Sequence, residues 1–234
     1  MLNFYEFFAG GGMARAGLGA DWNCLFANDI DTKKGFSYQA NWGTGGELKI
    51  CDIIRIGLSD LHGNANLAWA SFPCQDLSLA GGGAGLEGTR SGTFYSFWHI
   101  IKKLSTDGRA PNVIVLENVC GALTSHNGKD FQSICQTFLE HDYDFGALII
   151  DAADFVPQSR KRLFLIGVQK SASIPVSLTS DCPVEPFHSR ALRNAVNLLP
   201  EALRQKFLWW NLPTPPRSKM TFSEIIEETP AQRS

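Results

Sequence analysis

The chain has little that points to secretion, membrane insertion or a metal centre. No apolar run reaches the roughly 18 residues that a membrane-spanning helix needs, and the start, MLNFYEFFAG, lacks the basic residues of a signal peptide. The cysteines, at positions 24, 51, 74, 120, 135 and 182, include no C-x-x-C pair. We therefore expect free thiols, no metal site, no membrane contact and a cytoplasmic location.

The chain also lacks an excess of charge of one sign. The net charge is −2 over 234 residues, so any basic surface must be local. Internal repeats are absent as well. With 44% hydrophobic residues, 16 Phe and 6 Trp, the composition is typical of a folded protein with one sizeable core.

Short apolar runs alternate with helical patterns over the first 168 residues. The runs suited to buried strands are NFYEFFA, CLFAN, LKIC, ANLAWASF, NVIVLEN, FGALIIDA and RLFLIGV. Between them, segments such as GTFYSFWHIIKKL place apolar residues at helical spacing. This alternation predicts an α/β fold with a doubly wound, mainly parallel sheet, which binds ligands beyond the carboxyl ends of its strands.

The last part of the chain differs in composition. Proline becomes frequent after residue 169, and basic residues outnumber acidic ones between residues 190 and 219. We expect one domain over residues 1–185 and a basic, proline-rich segment over residues 186–234. Near the end, Thr221 and Glu224 have the spacing of a capping box that begins a helix.

Glycines and carboxylates follow the first three predicted strands. Gly10 to Gly12 allow close backbone approach to a ligand, although Arg15 stands where the dinucleotide fingerprint needs its third glycine. Asp29 lies about twenty residues further on, the spacing of a carboxylate that binds ribose hydroxyls, and Asp52 follows the third strand. A plain strand-to-helix turn with helix-capping aspartates is the alternative interpretation.

Two later strands end in residues suited to catalysis. Pro73 ends the fourth run and fixes the direction in which Cys74 leaves the sheet. Glu117 follows a run fit only for burial, and a poorly solvated carboxylate there suits an acid that works near neutrality. An ion pair between Glu117 and a neighbouring Arg or Lys is the structural alternative.

The segment PQSRKRLFLIG begins the seventh run with alternating polar side chains. Gln158, Arg160 and Arg162 are predicted to share one face of the entering strand. Arginine side chains on one face suit planar anions or the edge of a base. A solvated strand edge is the alternative.

The order of these signals resembles the cytosine-C5 DNA methyltransferase family. The matching segments, over residues 4 to about 168, are FFAGGGMARAGL, ANDID, CDI, SFPCQDLSLAG with GLEGTRSGTF, ENVCGAL, and QSRKRLFLIG. The resemblance implies a sheet of the S-adenosylmethionine-dependent methyltransferase type. It also implies methyl transfer to C5 of a flipped-out cytosine in double-stranded DNA, and therefore a nucleoid-associated location in a bacterium or phage.

The resemblance implies S-adenosylmethionine as the cofactor. The residues that it assigns to cofactor binding are Phe8, Ala9, Gly10, Gly11, Gly12, Asp29, Ile30, Asp52, Ile53 and Pro73. In this assignment Asp29 binds the ribose hydroxyls, where the family more often has Glu, and Asp52 with Ile53 contacts the adenine. Cys51 stands where the family usually has Gly, and we expect it only to pack.

The catalytic residues that the resemblance implies are Cys74, Glu117, Arg160 and Arg162. A Cys74 thiolate, favoured by a nearby arginine, would add to C6 of cytosine and activate C5. Glu117 would hydrogen-bond N3 and the amino edge of the ring.

The same resemblance implies a set of DNA contacts. Its DNA-binding residues are Gln75, Ser78, Arg90 and Gln158. A loop from Ser78 to Arg90 would close over the DNA while the base is flipped out.

The resemblance ends before a target-recognition region, because only 66 residues follow Val168. A fragment, a split enzyme whose second chain supplies target recognition, and a degenerate product all stay open. Competing functions are a transfer-RNA cytosine methyltransferase, a non-catalytic binding module and a nicotinamide oxidoreductase. The intact Cys74 and Glu117 argue against the binding module, and the broken glycine fingerprint argues against the oxidoreductase.

Overall fold

A computed structural model gives the fold and describes residues 1–72, 92–215, 221–224 and 226. The strands of this part are β1 (Leu2–Phe7), β2 (Trp22–Asp29), β3 (Leu48–Ile50), β4 (Leu67–Ala70), β5 (Val113–Val119), β6 (Tyr143–Asp151), β7 (Lys161–Gln169), β8 (Thr179–Ser180) and β9 (Phe207–Trp210). The helices are α1 (Met13–Leu18), α2 (Thr32–Trp42), α3 (Thr93–Thr106), α4 (Lys129–Glu140), α5 (Arg190–Asn197) and α6 (Glu201–Arg204).

The described strands form one sheet in the order β3-β2-β1-β4-β5-β7-β6-β9-β8. β1 to β5 are mutually parallel, and β7 runs antiparallel between β5 and β6. Each predicted apolar run forms a strand, and the mainly parallel α/β sheet is confirmed. The chain reverses its direction of winding between β1 and β4, and such a switch point is where open α/β sheets bind ligands.

Helices cover both faces of the sheet. On one face, α3 buries Phe97 and Trp98, and α4 buries Phe138, all within the largest hydrophobic cluster. On the other face, Tyr38 of α2 packs in a smaller cluster with Phe4 of β1. Burial of one such side chain stabilises the folded protein by about 2 kcal/mol. Because helices pack on both faces of the sheet, the ends of its strands are held in fixed positions.

The chain beyond residue 186 adds β9 to the sheet beside β6. This approach needs a glycine, since a Cβ on Gly146 would lie 2.0 Å from the carbonyl oxygen of Leu208. Further along, Thr221 donates its backbone N–H to the Glu224 carboxylate at the start of a 3-10 helix, Phe222–Glu224. The division between residues 185 and 186 stays a prediction.

A buried carboxylate lies near the end of β1. Glu6 is 2% exposed, and its Oε1 accepts a hydrogen bond from the backbone N–H of Ala14 at 3.1 Å. Its Oε2 is buried and has no partner among the described residues. Burial, opposed by the backbone N–H groups of Ala14 and Arg15, raises the pKa of Glu6 from 4.5 to about 7.

We predict that the favourable contribution of Glu6 to the free energy of unfolding is lost as the pH rises. Because the pKa of Glu6 is higher in the folded protein, its favourable contribution is complete below pH 4.5 and is lost as the pH passes about 7. The loss amounts to roughly 3 kcal/mol at most. Urea unfolding at several pH values should show a steeper fall in unfolding free energy for the unaltered protein than for Glu6→Gln.

The comparison concerns the pH slope, since the glutamine changes absolute stability as well. Glu140→Gln, at an exposed position of α4, should keep the slope of the unaltered protein. An unchanged slope in Glu6→Gln would show that Glu6 is ionised in the folded protein throughout this range.

Candidate active site

The site residues predicted from the sequence lie along one edge of the sheet, which we call the carboxyl edge. Because β1 to β6 run in the same direction, their last residues meet there, and β7 begins there. In sheet order the edge carries Asp52, Asp29, residues 8–12, Phe72, Glu117, Arg162 and Asp151. The strand order thus brings together residues that are far apart in sequence.

Residues 8–12, the glycine loop, join β1 to α1. Phe8, Gly10 and Gly12 have φ values of 57°, 57° and 81°. Glycine adopts these values freely, whereas Phe8 is strained there and must be held by its surroundings. Ala9 holds the loop to the sheet by donating its N–H to the carbonyl of Asn28 at 2.8 Å.

Side chains of α2 support the glycine loop from behind. Asn41 and Trp42 donate to the carbonyl of Gly11 at 3.0 and 3.1 Å. Trp42 also packs so closely that a Cβ on Gly12 would lie 2.1 Å from its Nε1. The guanidinium of Arg15 lies 4.7 Å from the centre of the Trp42 ring.

Arg15 has a second set of contacts that fix its position. It forms an ion pair with Glu47 at 2.6 Å and donates to the hydroxyl of the buried Tyr38 at 2.8 Å. Arg15 thus links α1, α2 and the chain before β3. In the sequence, Arg15 was notable only because it replaces the third glycine of the dinucleotide fingerprint. Nothing in the sequence indicated that Trp42 supports the glycine loop.

Asp29 ends β2 and holds the chain on both sides of it. Its Oδ2 accepts the N–H of Gly10 and its Oδ1 that of Asp31, each at 2.9 Å. The side chain is only 4% exposed. A carboxylate has about four acceptor positions, so these bonds leave lone pairs for a ligand's hydroxyl groups.

Asp52 and its neighbours line the adjacent end of the edge. The Asp52 carboxylate accepts the N–H of Ile54 and caps a short 3-10 helix. Ile53 is 3% exposed and packs in the core, whereas Ile54 and Ile30 are 59% and 65% exposed. The exposed apolar side chains beside the two carboxylates are therefore Ile30 and Ile54, and Ile54 was missed in the sequence.

Glu117 and Arg162 form an ion pair at the centre of the edge. The Arg162 Nε lies 2.9 Å from the Glu117 Oε1, and both side chains are about one-fifth exposed, at 19% and 23%. Glu117 is paired with Phe164 and Val119 with Arg162 in the β5–β7 ladder, so the two charges are diagonal neighbours on one face. The sequence alternative of an ion pair is thus present in the structure.

Asn118, which follows Glu117 in β5, was also missed in the sequence. It is 3% exposed and donates from its side-chain amide to the carbonyl of Phe72 at 3.1 Å. Phe72 is the last described residue before Pro73, so Asn118 fixes the point from which the next segment leaves. It lies within the quoted ENV motif, which was the available signal.

The expectation for Gln158 and Arg160 needs correction. β7 begins at Lys161, so Gln158 and Arg160 precede the strand and do not share a strand face with Arg162. The cause is Asp151, whose carboxylate accepts the N–H of Arg160 at 2.8 Å and holds it in the loop. Both side chains are exposed.

Several predicted site residues lie outside the described part of the chain. They are Pro73, Cys74, Gln75, Ser78 and Arg90, together with the rest of the proposed closing loop.

Four of the other cysteines have raised pKa values and are therefore poor nucleophiles. Burial raises the pKa of Cys24 to about 11 and that of Cys135 well above its usual value. It also raises the pKa of Cys51 and Cys120, while Cys182 is exposed. The buried thiols are therefore protonated at neutral pH, as expected of packing residues.

The described residues show neither a metal-binding cluster nor a membrane-spanning helix. Within them, His, Cys, Asp and Glu form no group of three or more that is placed to hold a metal ion. No helix among them has the length and hydropathy needed to cross a membrane.

Comparison with known proteins gives the family. The family profile of the C-5 cytosine-specific DNA methylases matches residues 2–227. Type II methyltransferase M.HhaI of Haemophilus parahaemolyticus is 30% identical over 177 residues, which are 74% of this chain and 51% of that protein. M.DsaV of Dactylococcopsis salina is 33% identical over 170 residues, 72% of this chain and 46% of its own.

A solved structure agrees on the fold. The crystal structure of S. pombe Dnmt2 methyltransferase matches with a TM-score of 0.59 at 21% identity, over 74% of this chain and 53% of that one. The chain thus spans about half the length of the relatives that it matches. With its α/β sheet and the profile match over nearly all of its length, the chain belongs to the C-5 cytosine-specific DNA methylase family.

Proposed function

We propose that this chain carries the cofactor-binding and catalytic part of a DNA cytosine-C5 methyltransferase. The observation that carries the proposal is the Glu117–Arg162 pair at the carboxyl edge. It provides a carboxylate and a guanidinium on one side of the described end of β4, and the glycine loop follows β1 on the other side. The substrate is a cytosine in double-stranded DNA.

The residues at the edge fit S-adenosylmethionine. A Cβ on Gly10 would meet no atom of the described residues within 4 Å, so the described part of the chain leaves space beside the glycine loop. Asp29 and Asp52 offer carboxylate acceptors for hydroxyl and amino groups, and Ile30 and Ile54 offer apolar contacts for a planar base. The bound cofactor would supply an electrophilic methyl group on a sulfonium centre.

Cys74 is the proposed nucleophile. Its thiolate adds to C6 of cytosine, and the electron pair of the C5–C6 double bond makes C5 nucleophilic. After C5 is methylated, loss of the C5 proton and departure of the Cys74 thiolate restore the double bond. The buried cysteines of the described part, with their raised pKa values, are unsuited to this step.

Glu117 stabilises the activated ring in this mechanism. Its carboxyl group hydrogen-bonds the amino edge and holds a proton at N3, where negative charge arrives when the thiolate adds. Arg162 keeps Glu117 oriented through the 2.9 Å ion pair. Arg162, or Arg160 as the alternative, would also supply the positive charge that favours the reactive thiolate form of Cys74.

The target base must leave the duplex before Cys74 can reach it. Flipping costs a few kcal/mol, and we assign contacts that offset this cost to Gln75, Ser78, Arg90 and Gln158. Arg160 and Lys161 are exposed at the same edge and suit phosphate groups. The match covers only about half of the relatives' length, and no described residue of this chain is assigned to recognition of the target sequence.

Asp29→Ala should weaken the binding of S-adenosylmethionine about tenfold or more, because the variant loses a charged hydrogen-bond acceptor and releases the N–H of Gly10. Isothermal titration calorimetry measures this affinity. The matched control is Asp31→Ala, which removes a neighbouring carboxylate that caps α2. Equal affinities in the two variants would exclude Asp29 from the cofactor site.

Cys74→Ser should abolish a covalent adduct with DNA that contains 5-fluorocytosine. Fluorine cannot leave C5 as a proton does, so an active enzyme stalls with Cys74 bound to C6. Mass spectrometry of protein incubated with cofactor and fluorinated duplex detects the adduct. Cys182→Ser, at an exposed position, should retain it.

The same trap separates the competing functions. An adduct with fluorinated DNA and none with fluorinated transfer RNA supports the proposal, and the reverse result would support the RNA alternative. An adduct that persists in Cys74→Ser would mean that another residue is the nucleophile. Cofactor binding without an adduct on either substrate would favour a non-catalytic module or a missing partner chain.

A further inference from the structure

The loop between β6 and β7, residues 152–160, presents apolar side chains to solvent at the carboxyl edge. Phe155 is 51% exposed and Val156 is 41% exposed. They are neighbours in sequence and precede Arg160, which is also exposed. Exposure of an aromatic residue to water beside a candidate active site is unfavourable, and binding of a partner would remove that cost.

Asp151 holds the β6–β7 loop closed. Its Oδ1 accepts the N–H groups of Ala153 at 3.1 Å and Arg160 at 2.8 Å, and its Oδ2 accepts the hydroxyl of Ser159 at 2.9 Å. The N–H of Ala152 donates to the carbonyl of Arg160 at 3.3 Å and completes the neck. One carboxylate thus binds both ends of the loop.

The tip of the loop has its own hydrogen bonds. The N–H groups of Phe155 and Val156 both donate to the carbonyl of Ala152, at 2.9 and 2.8 Å. The N–H of Gln158 donates to the carbonyl of Val156 at 2.7 Å. The exposed apolar pair therefore stands on an ordered turn, which lowers the entropic cost of binding.

The charge around this surface indicates the kind of partner. Arg160 and Lys161 are exposed, whereas the Asp151 carboxylate is occupied by donors of the loop and Asp154, the other acidic residue of the loop, is partly buried. Exposed cations and an exposed aromatic side chain on one surface segment are typical of proteins that bind single-stranded or distorted nucleic acid, where phosphates contact the cations and bases or sugars contact the ring. A partner protein with an acidic, apolar surface could pair with the cations equally well. It would offer no base or sugar for the aromatic ring.

We propose that the β6–β7 loop is a preformed DNA-binding surface, in which Phe155 packs against a base or sugar next to the target cytosine and Asp151 positions Arg160 for a phosphate. This inference rests on the proposed function and extends it to Asp151 and Phe155, which the sequence did not indicate, whereas Arg160 was already a predicted site residue. Asp151 acts here as a positioning residue, since its own carboxylate contacts only the loop.

The test measures DNA and cofactor affinity separately in the full chain. The probe is a fluorescein-labelled duplex of mixed sequence, titrated by anisotropy from about 50 to about 200 mM salt, a range over which phosphate contacts weaken strongly. Phe155→Ser should raise the Kd for the duplex about tenfold and leave its salt dependence unchanged, because a stacking contact carries no charge. Val176→Ser, which alters an apolar residue that is 87% exposed elsewhere, should have no effect.

Asp151→Ala should raise the Kd for the duplex and reduce the slope of log Kd against log salt by about one, because Arg160 loses its position and its phosphate. Asp151→Asn retains an acceptor oxygen, so its Kd for the duplex and its salt slope should both be close to those of the unaltered protein. A merely structural role of Asp151 would weaken binding without changing the salt slope. The affinity for S-adenosylmethionine should stay the same in all these variants.

The outcomes separate this inference from the proposed function. If the unaltered protein binds the duplex and Phe155→Ser and Asp151→Ala bind it equally well, the loop is not a DNA-binding surface, while the proposed function stands. If Asp151→Ala changes cofactor affinity to the same extent as DNA affinity, its effect is general and the positioning role is wrong. Absence of duplex binding by the unaltered protein would overturn the inference and count against DNA as the substrate.

Discussion

The antiparallel insertion of β7 between β5 and β6 is the constraint on which the candidate active site depends. Its register against β5 places Arg162 beside Glu117, and its register against β6 places Lys161 opposite Asp151. A slip of one residue would turn Arg162 to the opposite face of the sheet. The pairing of one strand therefore determines both the central ion pair and the closure of the β6–β7 loop.

Carboxylates at the other strand ends support the site by holding backbone. Asp29 accepts N–H groups from both sides of β2, and Asp151 accepts them from both ends of the β6–β7 loop. Asn28 has a similar role, since its amide donates to the carbonyls of Lys49 and Cys51 at the end of β3. Bonds of this kind fix loop geometry before any ligand arrives, and such preorganisation reduces the cost of binding and catalysis.

Local patterns in the sequence predicted the strands from β1 to β7 and the face of α3, because apolar periodicity reports burial directly. α4 was missed. It follows left-handed residues from His126 to Gly128 and has no side-chain cap, so the usual start signal is absent. β9 was missed because a four-residue strand depends on its partner, here the close approach allowed at Gly146. Strand-end residues identified the edge, whereas contacts of Trp42 and Asn118 depend on tertiary structure that no spacing encodes.

The strand order also supports the proposal of a nucleophile in the segment after β4. The glycine loop follows β1, and Glu117 lies at the end of β5. Among the described strands, β4 alone pairs with both β1 and β5. The chain that leaves β4 therefore starts between the proposed cofactor and the proposed base-binding carboxylate. The bond from Asn118 to Phe72 fixes that starting point from the β5 side, and Ser71 donates its N–H to Phe7 from the β1 side. Cys74 follows Phe72 by two residues in the sequence, so a nucleophile proposed at Cys74 belongs to the segment that leaves the sheet between these two groups.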